Sequence, residues 1–106
     1  MSEYFVYITC PTEKEAEAIG AELVRRRLVA CVNILPGMRS LYWWQGKVQQ
    51  GNETVLIAKT RRELVGELTE AVKSMHSFEV PCVVALKIEG GSQDFIDWIR
   101  TETKAG

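Results

Sequence analysis

Residues Tyr4 to Thr9 form an aromatic and β-branched run that Pro11 ends, and this predicts a first strand closed by a turn. The apolar spacing then becomes helical. Ala16, Ile19, Gly20, Leu23, Val24 and Leu28 fall on one face, and Thr12 with Glu15 has the form of a capping box at the helix start. Cys31 to Leu35 predicts a second strand. After a Pro36-Gly37 interruption, which reads as a bulge, the strand pattern resumes over Met38 to Trp44. A turn at Gln45 to Lys47 and a third strand from Val48 to Thr60 complete one long hairpin, with Gly51-Asn52 as its weak point.

Thr60 and Glu63 repeat the T-x-x-E signature, and Leu64, Leu68, Ala71, Val72 and Met75 make a second helical stripe that stops before His76. Locally this helix reads like the first. Val80-Pro81 leads into a nearly continuous apolar strand, Cys82 to Ile88, and Gly90-Gly91-Ser92 opens a last helix carrying Phe95, Trp98 and Ile99. The order is β-α-β-β-α-β with an added C-terminal helix, an α+β, ferredoxin-like arrangement. Right-handed crossovers place the fourth strand beside the first and the third on its other side. Both helices then cover one face of an antiparallel sheet, and the other face needs a different cover.

Each arm of the hairpin is about fourteen residues long and reaches on the order of 45 Å when extended, far beyond a usual strand. Leu41, Tyr42, Trp43 and Trp44 put large side chains on both faces of the overrunning ribbon, because neighbours in a strand point to opposite sides. At about 25 cal/mol per Å², covering them is worth several kcal/mol. The ribbon end therefore reads as a subunit contact in a homo-oligomer, against the plainer reading that the tryptophans curl back onto their own domain. Glu53 and Lys59 share one strand face, where ion pairing across that contact is the favoured role.

The 106 residues fit one domain, and the 46% hydrophobic and 25% charged content is ordinary globular composition. Thirteen basic residues face fourteen acidic ones, so the net field does not select nucleic acid. The clusters Arg25-Arg26-Arg27 and Arg61-Arg62 read as solvated helix ends. No run is long and apolar enough to cross a membrane, and the N-terminus has no basic stretch ahead of an apolar one. Cys10, Cys31 and Cys82, odd in number and far apart, suit reduced thiols in a cytoplasmic protein without disulfides.

Ala30-Cys31-Val32-Asn33-Ile34-Leu35-Pro36-Gly37, Ser40, Tyr42, Trp44, Gly46, Glu53, Lys59, His76, Pro81 and Trp98 follow one another in an order and spacing that resembles the CutA divalent-cation tolerance proteins over essentially the whole chain. The resemblance implies a cytoplasmic homotrimer of ferredoxin-like fold. It also implies tolerance of copper and other divalent metals, with contacts at the cysteine after the first strand and the histidine after the second helix, here Cys10 and Met75-His76. Many members carry H-P-Y followed by P-E; this chain has His76-Ser77-Phe78 and Pro81-Cys82, so a tyrosine hydroxyl and a carboxylate are absent and a thiol is gained.

In this topology the end of the first strand, the end of the second helix and the start of the fourth strand lie at one sheet edge, which gathers Cys10, Met75, His76 and Cys82. Thiolate, thioether and imidazole suit copper better than a structural zinc site, and the expected occupant is copper or another divalent cation, weakly bound. Two readings stay open: a metal site, or a histidine that hydrogen-bonds a helix end beside inert buried thiols. Cys31 belongs at the opposite edge, as a small buried hydrophobe. No third member or oxyanion-binding loop accompanies the Cys-His pair, so no enzymatic reaction is expected. The alternative function is a small-ligand-sensing trimer resembling the nitrogen-regulatory PII proteins, which share this fold.

Overall fold

A computed structural model describes residues 2–105 as β1 (Glu3–Cys10), α1 (Glu13–Arg25), β2 (Cys31–Trp44), β3 (Lys47–Arg61), α2 (Val65–Met75), β4 (Val83–Lys87) and α3 (Gln93–Glu102). The strands form one antiparallel sheet in the order β2-β3-β1-β4, as the crossover rule predicts. Val6, Ile8 and Cys10 of β1 and Leu56 and Ala58 of β3 pack with Ala16, Ile19 and Leu23 of α1 and with Leu68 and Val72 of α2. These residues make the core on the helix face. Gly20 lets α1 approach the sheet, since a Cβ there would lie 3.0 Å from Val32 Cγ2.

The intervening strand residues point to the open face. Phe5 and Tyr7 of β1, Ile57 of β3 and Val84 and Leu86 of β4 are half-buried or exposed there. Only the end of this face near Glu3 and Arg61 is tied down by α3. The Arg61 guanidinium donates to the Thr103 and Arg100 carbonyls at 2.9 and 3.2 Å, capping the helix C-terminus, and Arg100 Nε donates to Glu3 Oε2 at 2.8 Å. Arg61 is thus a partly buried clamp rather than part of a solvated run. Arg25 and Arg27 do sit in water, paired with Glu22 and Glu102, while Arg26 between them is half-buried beside Glu67.

The ribbon pairs continuously from Cys31 and Lys59 to Trp44 and Lys47, with one register shift between Leu35 and Met38 where the Pro36-Gly37 bulge was expected. Gln45 and Gly46 have φ of 51° and 78°, a two-residue turn of the type that suits the right-handed twist of a hairpin. Lys47 already belongs to the ladder, one residue earlier than the sequence suggested. Gly51 and Asn52 pair with Ser40 and Arg39, so the ladder holds at its predicted weak point. The molecule is 43 Å long, and at the ribbon tip Leu41 and Trp43 are 71% and 75% exposed.

Three local expectations fail, two of them because a distant contact wins over a local one. Thr60 does not cap α2. It is still in β3, fully buried, and its hydroxyl donates to the Leu28 carbonyl at 2.6 Å, while α2 begins through a 3-10 turn at Arg62–Leu64 without a side-chain cap. Thr12 does accept the Glu15 N–H at 3.1 Å, but the Glu15 carboxylate reaches Ser77 instead of closing the box. Cys31 lies at the edge opposite Cys10, as expected, but it is half-buried on the open face beside Lys59 rather than in the core.

Candidate functional site

The end of β1, the end of α2 and the loop before β4 meet as the topology requires. His76 terminates α2 in an extended conformation, and its amide still donates to the Val72 carbonyl at 2.9 Å. That geometry drives the ring inward onto β1. Nε2 lies 2.7 Å from the Thr9 carbonyl, and the Phe78 N–H donates to Nδ1 at 3.0 Å. An Nδ1 that accepts leaves the proton on Nε2, which donates to Thr9, so both ring nitrogens are engaged inside the protein. The Phe78 ring also packs against the imidazole, tilted by 49° at 5.1 Å between centroids.

Glu15, at the start of α1, locks this corner from the other side. Its Oε2 accepts from the Ser77 amide and hydroxyl at 3.0 and 3.1 Å and lies 3.5 Å from His76 Nδ1. Sequence reasoning missed Glu15, Ser77 and Phe78 as site residues. Glu15 had been assigned a purely local role, and contacts 62 positions apart leave no periodic signature.

Next to Thr9, Cys10 is fully buried in the core cluster. Its thiol is pushed up from 9.0 to about 11, chiefly by loss of solvation and then by the charges of Glu15 and Glu53. Met75 packs against the same core and is half-buried. Cys82 stands apart from this pair. It precedes β4 by one residue and lines, with Tyr7, Thr9 and Glu53, a cleft of about 690 Å³ on the open face. The four proposed ligands therefore share one end of the sheet, but Cys10 lies under the helices and Cys82 faces the cleft. Among the described residues, no group of three or more His, Cys, Asp or Glu side chains is disposed to hold a metal ion.

The cleft runs between the ribbon and the 77–80 loop. Met38, Arg39, Ser40, Leu41, Tyr42 and Trp44 line its ribbon side, and Ser77, Phe78, Glu79 and Val80 its other side. Alternation separates the aromatic residues: Tyr42 and Trp44, which line the cleft, are each 42% exposed, whereas Trp43 between them is 75% exposed. Lys59 and Glu53 share the open face, but Lys59 Nζ donates to Asn33 Oδ1 and Glu53 lines the cleft, so the two do not meet within the chain. Glu15, Glu53 and Glu79 surround the end of β1, with Arg39 on the ribbon side of the cleft.

Fold and site together define a small ferredoxin-like domain with an apolar open face, a projecting aromatic ribbon and an acidic, sulfur-containing sheet end. Residues 4–102 match the family model of the CutA1 divalent ion tolerance protein. The chain belongs to that family. It is 46% identical over 95 residues to the divalent-cation tolerance protein CutA of Archaeoglobus fulgidus, an alignment covering 90% of this chain and 92% of the relative. It is 43% identical over 99 residues to the chloroplastic protein CutA 1 of Oryza sativa subsp. japonica, covering 93% of this chain but 56% of that one. The chain thus spans about half the length of the rice relative and nearly all of the archaeal one. The crystal structure of CutA1 from Oryza sativa superposes with a TM-score of 0.96 at 40% identity, covering 100% of this chain and 97% of the other. No helix among the described residues is long and apolar enough to cross a membrane.

Proposed function

We propose that this CutA protein acts as a homotrimer in divalent-cation tolerance, binding copper or a related cation weakly at the acidic end of the sheet and catalysing no reaction. The supporting observation is the gathering there of Cys10, Met75 and His76, with Cys82 on the adjoining cleft and carboxylates around them. Sulfur and imidazole donors favour copper, above all Cu(I), over zinc. Weak binding follows from the resting hydrogen bonds. To ligate, His76 must release either Thr9 or Phe78, and Cys10 must lose its proton against burial and two nearby negative charges. Cys82 lines the cleft rather than the core, and it stands where many family members carry a carboxylate.

The trimer is supported by the uncovered face and by the ribbon tip, where Tyr42, Trp43 and Trp44 offer apolar contact, and Glu53 and Lys59 offer charges to a neighbouring copy. Three free thiols suit a reducing, cytoplasmic setting. The relatives named above are divalent-cation tolerance or CutA proteins, which favours this reading over a sensor of the PII type.

Calorimetric titration of the reduced protein with Cu(I), Cu(II) and Zn(II) tests the proposal, with sedimentation recording the assembly state. Copper should bind more tightly than zinc, and Cys10→Ser, His76→Ala and Cys82→Ser should each weaken copper binding by about tenfold or more. Unchanged copper affinity in all three variants removes the site, and a monomer at working concentration removes the trimer.

A further inference from the structure

Two exposed aromatic patches stand apart in the molecule. One is the ribbon tip, where Leu41, Trp43 and Val48 are exposed and Trp43 pairs with Val48 across the ladder. The other is on α3. Phe95 and Trp98 lie one turn apart on one flank of that helix. Their rings pack against each other at 5.4 Å between centroids, tilted by 33°, while both stay exposed. Buried Ile99 and the Arg61 cap hold α3 to the sheet, and the aromatic pair stands out beside them.

The two patches carry opposite charge. From Arg39 to Asn52 the ribbon holds two cations, Arg39 and Lys47, and no carboxylate. Arg39 lines both the cleft and a shallow depression with Gln50 and Asn52, and neither cation forms an ion pair among the described residues. From Glu89 to Trp98 the chain holds three carboxylates, Glu89, Asp94 and Asp97, and no cation. Asp97 accepts from Gln93 Nε2 at 2.8 Å, whereas Glu89 and Asp94 form no ion pair among the described residues. Aromatic rings bordered by unpaired cations on one patch and by unpaired carboxylates on the other suit each other as two sides of one contact. The open face offers the cationic tip no such match, since Lys59 offsets Glu53 there.

The patches do not meet within one chain. α3 is clamped beside Glu3 and Arg61, where β1 begins and β3 ends. The ribbon turns at Gln45 and Gly46, at the far end of the ladder in a molecule 43 Å long. We propose that the ribbon tip of one copy docks on the Phe95–Trp98 flank of α3 in the next copy, with Arg39 and Lys47 facing Glu89 and Asp94. This rests on the homotrimer reading and adds where each ribbon lands. The contact joins unlike surfaces, so successive copies repeat it head to tail until a ring closes. Neither Cys10, Met75 nor His76 takes part.

The test is a charge-reversal cycle read by sedimentation over a dilution series, with circular dichroism as the check on folding. Arg39→Glu with Lys47→Glu should raise the concentration at which the assembly half-dissociates by about tenfold or more, because like charges then face each other. Glu89→Lys with Asp94→Lys should do the same. All four substitutions together should recover most of the loss. Trp98→Ala should also weaken assembly, whereas Glu17→Lys, at an exposed position of α1, should leave it unchanged. Charge reversals that leave a wild-type-like assembly overturn the docking and leave the trimer standing. So does a fourfold variant whose loss is the sum of the two pairs. A wild type that stays monomeric at every concentration removes the trimer and the docking with it.

Discussion

Leu56 and Ile57 are neighbours in β3 and point to opposite sides of the sheet. Leu56 is wholly buried under α1 and α2; Ile57, on the open face, is only half-buried. The same contrast runs through β1, where Val6 and Ile8 are sealed while Phe5 and Tyr7 are not. Both faces are apolar, yet the chain supplies helices for one of them. One face is thus stabilised by the chain's own packing, and the other, beyond the end that α3 reaches, holds apolar surface the chain leaves uncovered.

Truncation on each face separates the two and has the largest expected effect. Leu56→Ala should cost about 2–5 kcal/mol by lost transfer energy and a residual cavity, equally at all protein concentrations. Ile57→Ala should cost less in dilute protein and more as concentration rises, because a covering copy adds stability by mass action. Thermal melts at two concentrations a hundredfold apart read the difference. If the Ile57→Ala penalty does not depend on concentration, the open face is not an assembly surface.

The thiols give a smaller version of the comparison, with Cys10 under the helices and Cys82 on the cleft. The folded-state pKa of Cys10 lies near 11, above the 9.0 of the unfolded chain, so the folded protein favours the neutral thiol. This stability is fully present below pH 9, declines as pH rises between 9 and 11, and is gone above that. Its size is about 2–3 kcal/mol. Denaturant melts across that window should show wild type losing more stability than Cys10→Ala. Parallel losses in the two proteins would mean that burial does not hold the Cys10 proton.

Strand order, the bulge at Pro36-Gly37, the first helix and the uncovered face were all legible, because alternation, helical spacing and crossover handedness act along the chain or between whole elements. The candidate site was legible only as a neighbourhood. That His76 and Cys10 reach the same sheet end follows from topology, but the hydrogen bonds that occupy both nitrogens of the His76 ring depend on the extended backbone at one residue. Whether Cys82 joins Cys10 or faces away turns on a single position of register, and shifting a strand by one residue exchanges its faces. Glu15 shows the same limit, since nothing in T-x-x-E tells a carboxylate that closes a capping box from one that leaves for Ser77.

Thr12 and Thr60 carry that identical signature, and their removal should have the smallest effects yet separate cleanly. Thr12→Ala deletes a solvent-exposed cap of α1 and should cost about 1 kcal/mol. Thr60→Val keeps the shape of a fully buried side chain on the helix face but leaves the Leu28 carbonyl without the Thr60 hydroxyl, which should cost about 1–3 kcal/mol. Restoring an N-cap identifies which role each threonine plays. Aspartate at position 12 should recover most of the loss, because its side chain also accepts from Glu15 N–H, whereas aspartate at position 60 should destabilise further by placing a charge in the core. Chemical denaturation of the four variants measures this directly, and a Thr60→Asp protein as stable as wild type would return Thr60 to the start of α2.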